Sequence, residues 1–530
     1  MRKKFLRYWG ISHTWLRFLI ILLLVTGVLL RFVNIDRKVY WGDEVFTSLR
    51  ISGYTLAEMN ENLANGRLLN MQDLHKYQYP SPEKNVIDTI KGLALEESQV
   101  APLYFVMARF WVEWFGNSVT VTRSFSVFIS LLSFPSFYWL CQELFESSLI
   151  AWIAMALVAV SPVHLIYAQD ARPYTLWIVT ILISSAALLR AMRLKTRGAW
   201  TIYALTLPLG FYIHLFFGLV AFAQGIYVVI MERFRLSKTL INYFISLLVG
   251  IVSLVPWILV IITNPVEERL NWTDNKQTLL ASVIRWVAII SRAFLDLGVA
   301  PNDSGPTKIL LIPLILIIST LIIYSIYVTC RKTSQRVWLF VLTLSGSLVL
   351  PLMLVDFLFQ KRYGTTRYIL PSLLGIQLAV AYLFSTQIVS ISTKGWQKKL
   401  SPLLGFIVII FGVISCTLYS QANMWWSKVP EKYGEYPQIA EIINQSSKPL
   451  VIAGDNLKLQ VISHQLDPKV QFQLSQIGLT REDKIPEITN GFTDIFLFEP
   501  SDFLKAGIER IYNSNLQQIN KVFWKLTPKQ

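Results

Sequence analysis

The chain has 530 residues, a formal net charge of +16, 53% apolar residues and only 15% charged ones. An average soluble domain carries roughly 25% charged residues, so a soluble chain of this size would lack the polar side chains to cover its surface. Lipid supplies the missing solvent, and an all-α polytopic membrane protein is expected. The basic residues gather in short loops between apolar runs, where topology explains them, and no soluble basic domain or recognition motif points to nucleic acid.

The first residues, Met1-Arg-Lys-Lys-Phe-Leu-Arg7, are basic and precede an apolar run from about Trp15 to Phe32. That run is long for the core of a signal peptide and no small-x-small cleavage site follows it, so a retained first helix is expected. A long polar stretch separates Phe32 from Val100. Runs long enough to span then follow at about 120–142, 149–167, 173–192, 199–213, 214–231, 239–262, 308–330, 337–359, 366–388 and 402–421. Two further runs, 101–115 and 281–298, are short or carry charges (Arg109, Glu113, Arg285, Arg292, Asp296). Cys141, Cys330 and Cys416 lie in or beside apolar runs and none is paired at metal spacing, so neither a disulfide framework nor a thiolate zinc site is expected.

Charge bias arbitrates the topology. The basic loops Arg2–Arg7, Arg190–Arg197, Arg233–Lys238, Arg331–Arg336 and Lys394–Lys399 fall on one side if 101–115 and 281–298 do not cross. Eleven spans follow, or thirteen if both short runs cross; in either case the N-terminus is cytoplasmic and the C-terminus extracytoplasmic. The acidic loop Glu143–Ser148 gives this scheme no support. Residues 1–422 are expected to form the membrane domain, with 32–119 as its first outer loop. Residues 423–530 have the texture of a small soluble α/β domain. Helices are expected at Tyr436–Ser446 and Ser501–Asn513, and strands at Pro449–Ala453, Phe492–Phe498 and Lys521–Leu526.

Three outward segments carry unusual chemistry. In Val39-Tyr-Trp-Gly-Asp-Glu-Val-Phe-Thr-Ser48, the adjacent acids Asp43 and Glu44 stand among aromatic residues close to the first span. The plain alternative is an interfacial aromatic belt with two solvated carboxylates, but an acid held near the bilayer is also a candidate base. Ser161-Pro-Val-His-Leu-Ile-Tyr-Ala-Gln-Asp-Ala-Arg-Pro-Tyr174 brings His164, Tyr167, Asp170 and Arg172 into one tight connection between spans. There a salt bridge that only seals the loop competes with function, and charges this close to hydrocarbon are costly. Gln360-Lys-Arg-Tyr-Gly-Thr-Thr-Arg-Tyr368 places Lys361, Arg362 and Arg367 outside, against the positive-inside bias. An anionic outer ligand, or lipid headgroups, would account for them.

These motifs resemble a known group. Trp41-Gly-Asp-Glu-Val-Phe46 is similar to the acidic motif of GT-C membrane glycosyltransferases, in the protein O-mannosyltransferase and aminoarabinose transferase superfamily. Ala101-Pro-Leu-Tyr-Phe105 resembles that group's His-Pro-Pro-Leu-Tyr-Tyr segment, the 161–174 connection resembles its second-loop signature, and Arg367-Tyr-Ile-Leu-Pro-Ser372 resembles its late Arg-Tyr-x-x-Pro helix start. The matches come in family order over about residues 10–420. The resemblance implies an inverting transferase that moves a sugar from a polyprenyl-phosphate carrier to a hydroxyl on a lipid, glycan or protein acceptor. Asp43 would be the base and Glu44 its partner. Asp170, Arg172, Arg367 and Tyr368 would lie at the donor, with Lys361 and Arg362 added from charge placement. His164, Tyr167 and Tyr104 are placed in the substrate pocket.

Two departures stand out. Ala101 occupies a position where the group often has His or Pro, and Asp170 replaces the commoner Glu. No metal is expected to be obligatory, although a divalent ion would not conflict with the chemistry. The family resemblance also implies a bacterial plasma (inner) membrane, with membrane lipids as neighbours. The alternative function is a lipid-linked-sugar transporter or flippase without covalent chemistry, which would carry charges midway along several helices. A scaffold is a third reading, and would have no need of carboxylates and arginines at one depth.

Overall fold

A computed structural model describes residues 14–265, 278–299, 307–389, 397–475, 485–489 and 491–528. The chain divides into two compact units. One is drawn from Met1–Ile35, Ser98–Tyr104 and Arg123–Gln421, the other from Asp36–Glu97, Phe105–Thr122 and Ala422–Gln530.

The first unit is a helical bundle. Among the described residues, seven helices are long and apolar enough to cross a membrane: Thr14–Phe32, Val119–Phe145, Tyr174–Leu194, Lys238–Thr263, Leu311–Lys332, Gln335–Phe359 and Leu370–Ile388. Ser148–Ala159 and Pro162–Ala168 together make an eighth candidate, bent by 61°. The remaining expected runs are also helical, at Arg197–Ile213, Phe217–Met231 and Gln397–Gln421. Every expected apolar run is thus a helix, while length and apolarity single out seven or eight of them. Leu103–Phe115 and Leu279–Ser291 have 13 residues each. At 1.5 Å per residue such a helix reaches about 20 Å, short of the roughly 30 Å hydrocarbon layer.

Ion pairs gather one end of this bundle. Arg193 grips Glu143 through two hydrogen bonds of 2.9 Å, and Arg336 pairs with Glu146 at 3.1 Å. The acidic loop that ran against the charge bias therefore sits among the basic loops of its neighbours. The helix Tyr174–Leu194 runs from that end to the opposite one, where the 161–174 connection lies.

The break before Pro162 is held from the first helix. Gly27 packs so close that a Cβ there would stand 2.3 Å from Ala159 O. Arg31, fully buried, donates to the carbonyls of Gly27 (2.6 Å), Ala159 (3.1 Å) and Val158 (3.4 Å). A broken helix leaves carbonyls without amide partners, and in a membrane they must find donors within the protein. Arg31 provides them.

The second unit is α/β. Its sheet has the order β2-β1-β3-β5-β4, with β1 (Pro449–Ala453), β2 (Gln471–Leu474), β3 (Asp494–Phe498), β4 (Ser514–Asn520) and β5 (Phe523–Pro528). β1 pairs parallel with β2 and β3, and β5 pairs antiparallel with β3 and β4. Alternation decides the two faces of β1. Val451 and Ala453 enter one core, while Leu450 and Ile452 pack with Leu504 and Ile508 of the helix Asp502–Tyr512. The expected strands and helices of this region are present. β2, β4 and the helix Asn456–Ser463 were not anticipated.

The larger core is shared. Val39, Leu49, Met59, Leu63 and Leu74 of the segment after the first helix pack with Ile439, Val451, Phe472 and Phe496. Leu69 also exchanges two backbone hydrogen bonds with Phe472 on β2, of 2.8 and 2.9 Å. The polar stretch after the first helix is therefore no open loop. It folds into the helices Gly42–Ser52, Leu56–Leu63, Met71–His75 and Val86–Glu96, three of them opened by capping boxes: Thr55 with Glu58, Asn70 with Asp73, and Asn85 with Asp88. Arg109 ties in the helix Leu103–Phe115, donating to Ile51 O (2.8 Å) and Lys84 O (2.5 Å).

Candidate active site

Within the bundle, the bent segment delivers the 161–174 connection to one end. Gln169 fixes it by donating through its amide nitrogen to the carbonyls of Leu30, Arg31 and Val33, at 3.2, 3.2 and 2.9 Å. The Arg172 N–H donates to Asp170 O at 2.7 Å, which closes a tight turn. Ser126 Oγ lies 3.5 Å from Arg172 O and 2.9 Å from the Tyr104 hydroxyl, so Tyr104 supports this turn from a fully buried position.

A cationic and aromatic cluster forms here. Arg172 and Arg367 both lie within electrostatic reach of the His214 ring. That ring stacks on Trp177 at 4.1 Å and 10° and stands 6.3 Å from Tyr368. The Arg367 guanidinium lies 5.1 Å from the centre of the Tyr368 ring, which meets Phe216 edge-on at 5.2 Å. On the other side, Tyr167 packs against Tyr174 at 4.9 Å and feels the charges of Arg367, Asp170 and Arg292. Asp170, Arg172, Arg367, Tyr368 and Tyr167 thus come together as one group. His164 lies deeper, hydrogen-bonded to Gln377 at 2.9 Å, which in turn donates to Ser161. His214, Trp177, Tyr174 and Arg292 are members that sequence reasoning had not chosen. A lone histidine between two apolar runs was the available signal for the first.

The loop carrying Lys361 and Arg362 is anchored from beneath. Asp356, fully buried, accepts hydrogen bonds from the backbone N–H of Tyr363 (2.7 Å) and Gly364 (3.1 Å), from Trp286 Nε1 (3.2 Å) and from Arg285 (2.5 Å). Arg285 also donates to Gly364 O. Gly364 is required on steric grounds, since a Cβ would stand 2.3 Å from the Trp286 ring. Lys361 and Arg362 themselves are partly exposed.

The acidic pair belongs to the second unit. Asp43 and Glu44 occupy the first turn of the helix Gly42–Ser52, where the helix dipole favours negative charge. The two carboxylates have different surroundings. Asp43 is partly exposed, whereas Glu44 is fully buried and paired with the equally buried Lys428 at 2.9 Å. Lys428 also lies 5.5 Å from the centre of the Trp41 ring. The N-cap Trp41 gives the helix no side-chain cap. Instead the Tyr433 hydroxyl accepts the Gly42 N–H, and burial followed by the charge of Asp43 pushes that phenol up from its ordinary value. Lys428 and Tyr433 lie some 390 residues further along the chain, and no local pattern marks them. Among the described residues, no group of three or more His, Cys, Asp or Glu side chains is arranged to hold a metal ion.

No family model matches the sequence, and no curated protein matches it. Solved structures do. ArnT from Cupriavidus metallidurans bound to undecaprenyl phosphate aligns over 97% of this chain and 98% of its own, with a TM-score of 0.57 and 12% identity. The chain has the ArnT fold. ArnT in the apo state aligns over 96% of this chain and 97% of its own, with a TM-score of 0.53 and 13% identity. The likeness to ArnT takes in nearly the whole chain rather than the bundle alone, so the multi-pass helical bundle and the small C-terminal α/β domain both belong to the shared fold.

Proposed function

We propose that this chain is a glycosyltransferase that moves a sugar from a polyprenyl-phosphate carrier to an acceptor hydroxyl, with inversion at the anomeric carbon. The observation that carries the reading is the group of Arg172, Arg367, Tyr368 and Asp170 at one end of a bundle with the fold of ArnT, which has been solved with undecaprenyl phosphate. ArnT is the aminoarabinose transferase of the superfamily that the sequence motifs resemble.

In this reading Asp43 takes the proton from the acceptor hydroxyl. The oxygen attacks the anomeric carbon from the face opposite the phosphate, and the sugar–phosphate C–O bond breaks. The bonding pair leaves with the lipid phosphate, whose growing charge Arg172 and Arg367 stabilise. Lys361 and Arg362 draw the anionic headgroup toward the cluster. Asp170 fixes the arginines, and Tyr167 and Tyr368 form apolar walls beside the sugar. Glu44, sealed by Lys428, acts through the helix that carries Asp43. Charges at helix ends, such as Arg31, Asp356, Arg193 and Arg336, favour this reading over a transporter, which would place them midway. The membrane is the cell inner membrane, with a cytoplasmic N-terminus and residues 423–530 extracytoplasmic.

The test is transfer from a panel of radiolabelled undecaprenyl-phosphate sugars by the purified chain in nanodiscs, with the labelled product identified. Asp43→Asn is expected to lower turnover by about 10²–10⁴-fold while binding of undecaprenyl phosphate persists. Undiminished turnover in that variant would remove Asp43 from the reaction.

A further inference from the structure

We infer that Lys428 and Tyr433, in the segment after the last apolar helix, are positioning residues for Asp43: they hold its helix turn and cancel the charge of its neighbour. The inference deepens the transferase reading and rests on it for the role of Asp43. Its geometry lies within the second unit.

Adjacent carboxylates in one helical turn oppose each other's ionisation, since each disfavours a second negative charge nearby. Glu44 is the stronger constraint because its side chain has no exposed surface. An unpaired anion there would be costly, and a proton on it would remove its ion pair. Lys428, with 1% of its side chain exposed, settles the matter by placing an ammonium 2.9 Å from Glu44 Oε2. Of the two acids, only Asp43 then offers a partly exposed carboxylate.

The backbone agrees with this assignment. Lys428 ends a short 3-10 turn, Trp426–Lys428, and the next residue, Val429, has φ +54°. A β-branched residue in the left-handed region is strained and persists only where its surroundings impose it. That turn directs Lys428 inward and starts the helical turn Pro430–Tyr433, which ends at the residue contacting Gly42. A Cβ at Gly42 would stand 2.5 Å from the Tyr433 hydroxyl, so the sequence Trp-Gly-Asp-Glu needs its glycine for this close approach. Two independent contacts from one strained segment therefore hold the single turn that carries Asp43.

The test reads the turn that carries Asp43 directly, so it does not depend on finding the substrate. Carbodiimides modify carboxyl groups that solvent reaches, and modification of Asp43 and Glu44 in the full chain can be read at one fixed pH by peptide mass spectrometry. In the native chain Asp43 is modified, while burial and the Lys428 ion pair protect Glu44. In Lys428→Met that pair is lost and the turn loosens, so modification of Glu44 is expected to rise by about tenfold. Lys428→Arg retains the native pattern. Turnover follows it: Lys428→Met loses activity chiefly in kcat with donor KM unchanged, and Lys428→Arg keeps it.

A general packing defect would expose carboxyl groups throughout the second unit rather than Glu44 alone, and that result overturns the inference. Glu44 as well protected in Lys428→Met as in the native chain overturns it too. A native chain that transfers no sugar, yet shows the exposure and its rescue by arginine, would refute the transferase reading and leave the positioning intact.

Discussion

Replacing Asp356 by alanine tests how the basic loop is held. Its carboxylate is completely buried and serves four donors: Arg285, Trp286 Nε1, and the backbone N–H groups of Tyr363 and Gly364. Removing it leaves the Arg285 side chain, only 7% exposed, without its counter-charge. Breaking a buried ion pair from one side costs about 3–5 kcal/mol, and each stranded N–H adds about 1–3 kcal/mol where water cannot reach it. These penalties overlap as the loop relaxes, so a net loss of about 4 kcal/mol is expected. In a chain of this size that lowers the melting temperature by roughly 3–4 °C, measurable by intrinsic fluorescence in detergent or nanodiscs. Asp356→Asn, which retains an acceptor, should lose about half as much. Asp356→Ala/Arg285→Met should recover most of the loss, because no unpaired charge remains. Binding of undecaprenyl phosphate should weaken in the single variant, because Lys361, Arg362 and Arg367 lose their support. A melting temperature within about 1 °C of the native value, together with unchanged lipid binding, would refute the reasoning.

Other outcomes follow from the same geometry. Arg367→Lys keeps the charge but loses the planar fork, so affinity for undecaprenyl phosphate should fall by about tenfold. Arg172→Lys should behave alike, and native affinity in both variants would separate these residues from the phosphate. Burial holds His75 below its ordinary value of 6.5, beside the ring of His464 at 5.3 Å. As pH falls through 6.5 the unfolded chain takes up a proton that the folded chain refuses. The stability this neutral ring contributes is therefore present above 6.5 and declines below it, until the folded chain titrates as well. Melting temperatures between about pH 5 and 8 should show that decline, with a shallower slope in His75→Phe.

The helices of the bundle were legible because a spanning helix must be apolar over its length, a constraint that local composition records directly. The clustered charges Asp170, Arg172 and Arg367 were legible for a related reason. A charge beside hydrocarbon is expensive enough to stand out in a single sequence. The partners of those charges were not legible. Asp356 and Arg285 lie 71 residues apart, and Glu44 and Lys428 lie 384 apart. Nothing local tells a lysine destined for a buried ion pair from one bound for solvent. The helices of the segment after the first span were written in Thr55-x-x-Glu58, Asn70-x-x-Asp73 and Asn85-x-x-Asp88, and went unread because polarity dominated the stretch. β2 and β4 are rich in Gln and Asn, and they are strands because neighbouring strands complete their hydrogen bonds.

The core shared by the segment after the first helix and the C-terminal residues dictates an order of assembly. Val39, Leu49 and Leu74 reach their burial only against side chains such as Ile439, Val451 and Phe472. At a synthesis rate of about 5–20 residues per second, the 384 positions between Glu44 and Lys428 take roughly 20–80 s to make. During that interval an apolar surface waits uncovered while helix after helix enters the bilayer. A chain cut short before its last hundred residues would keep that surface bare, a visible mark by which quality control can tell an unfinished product from a complete one.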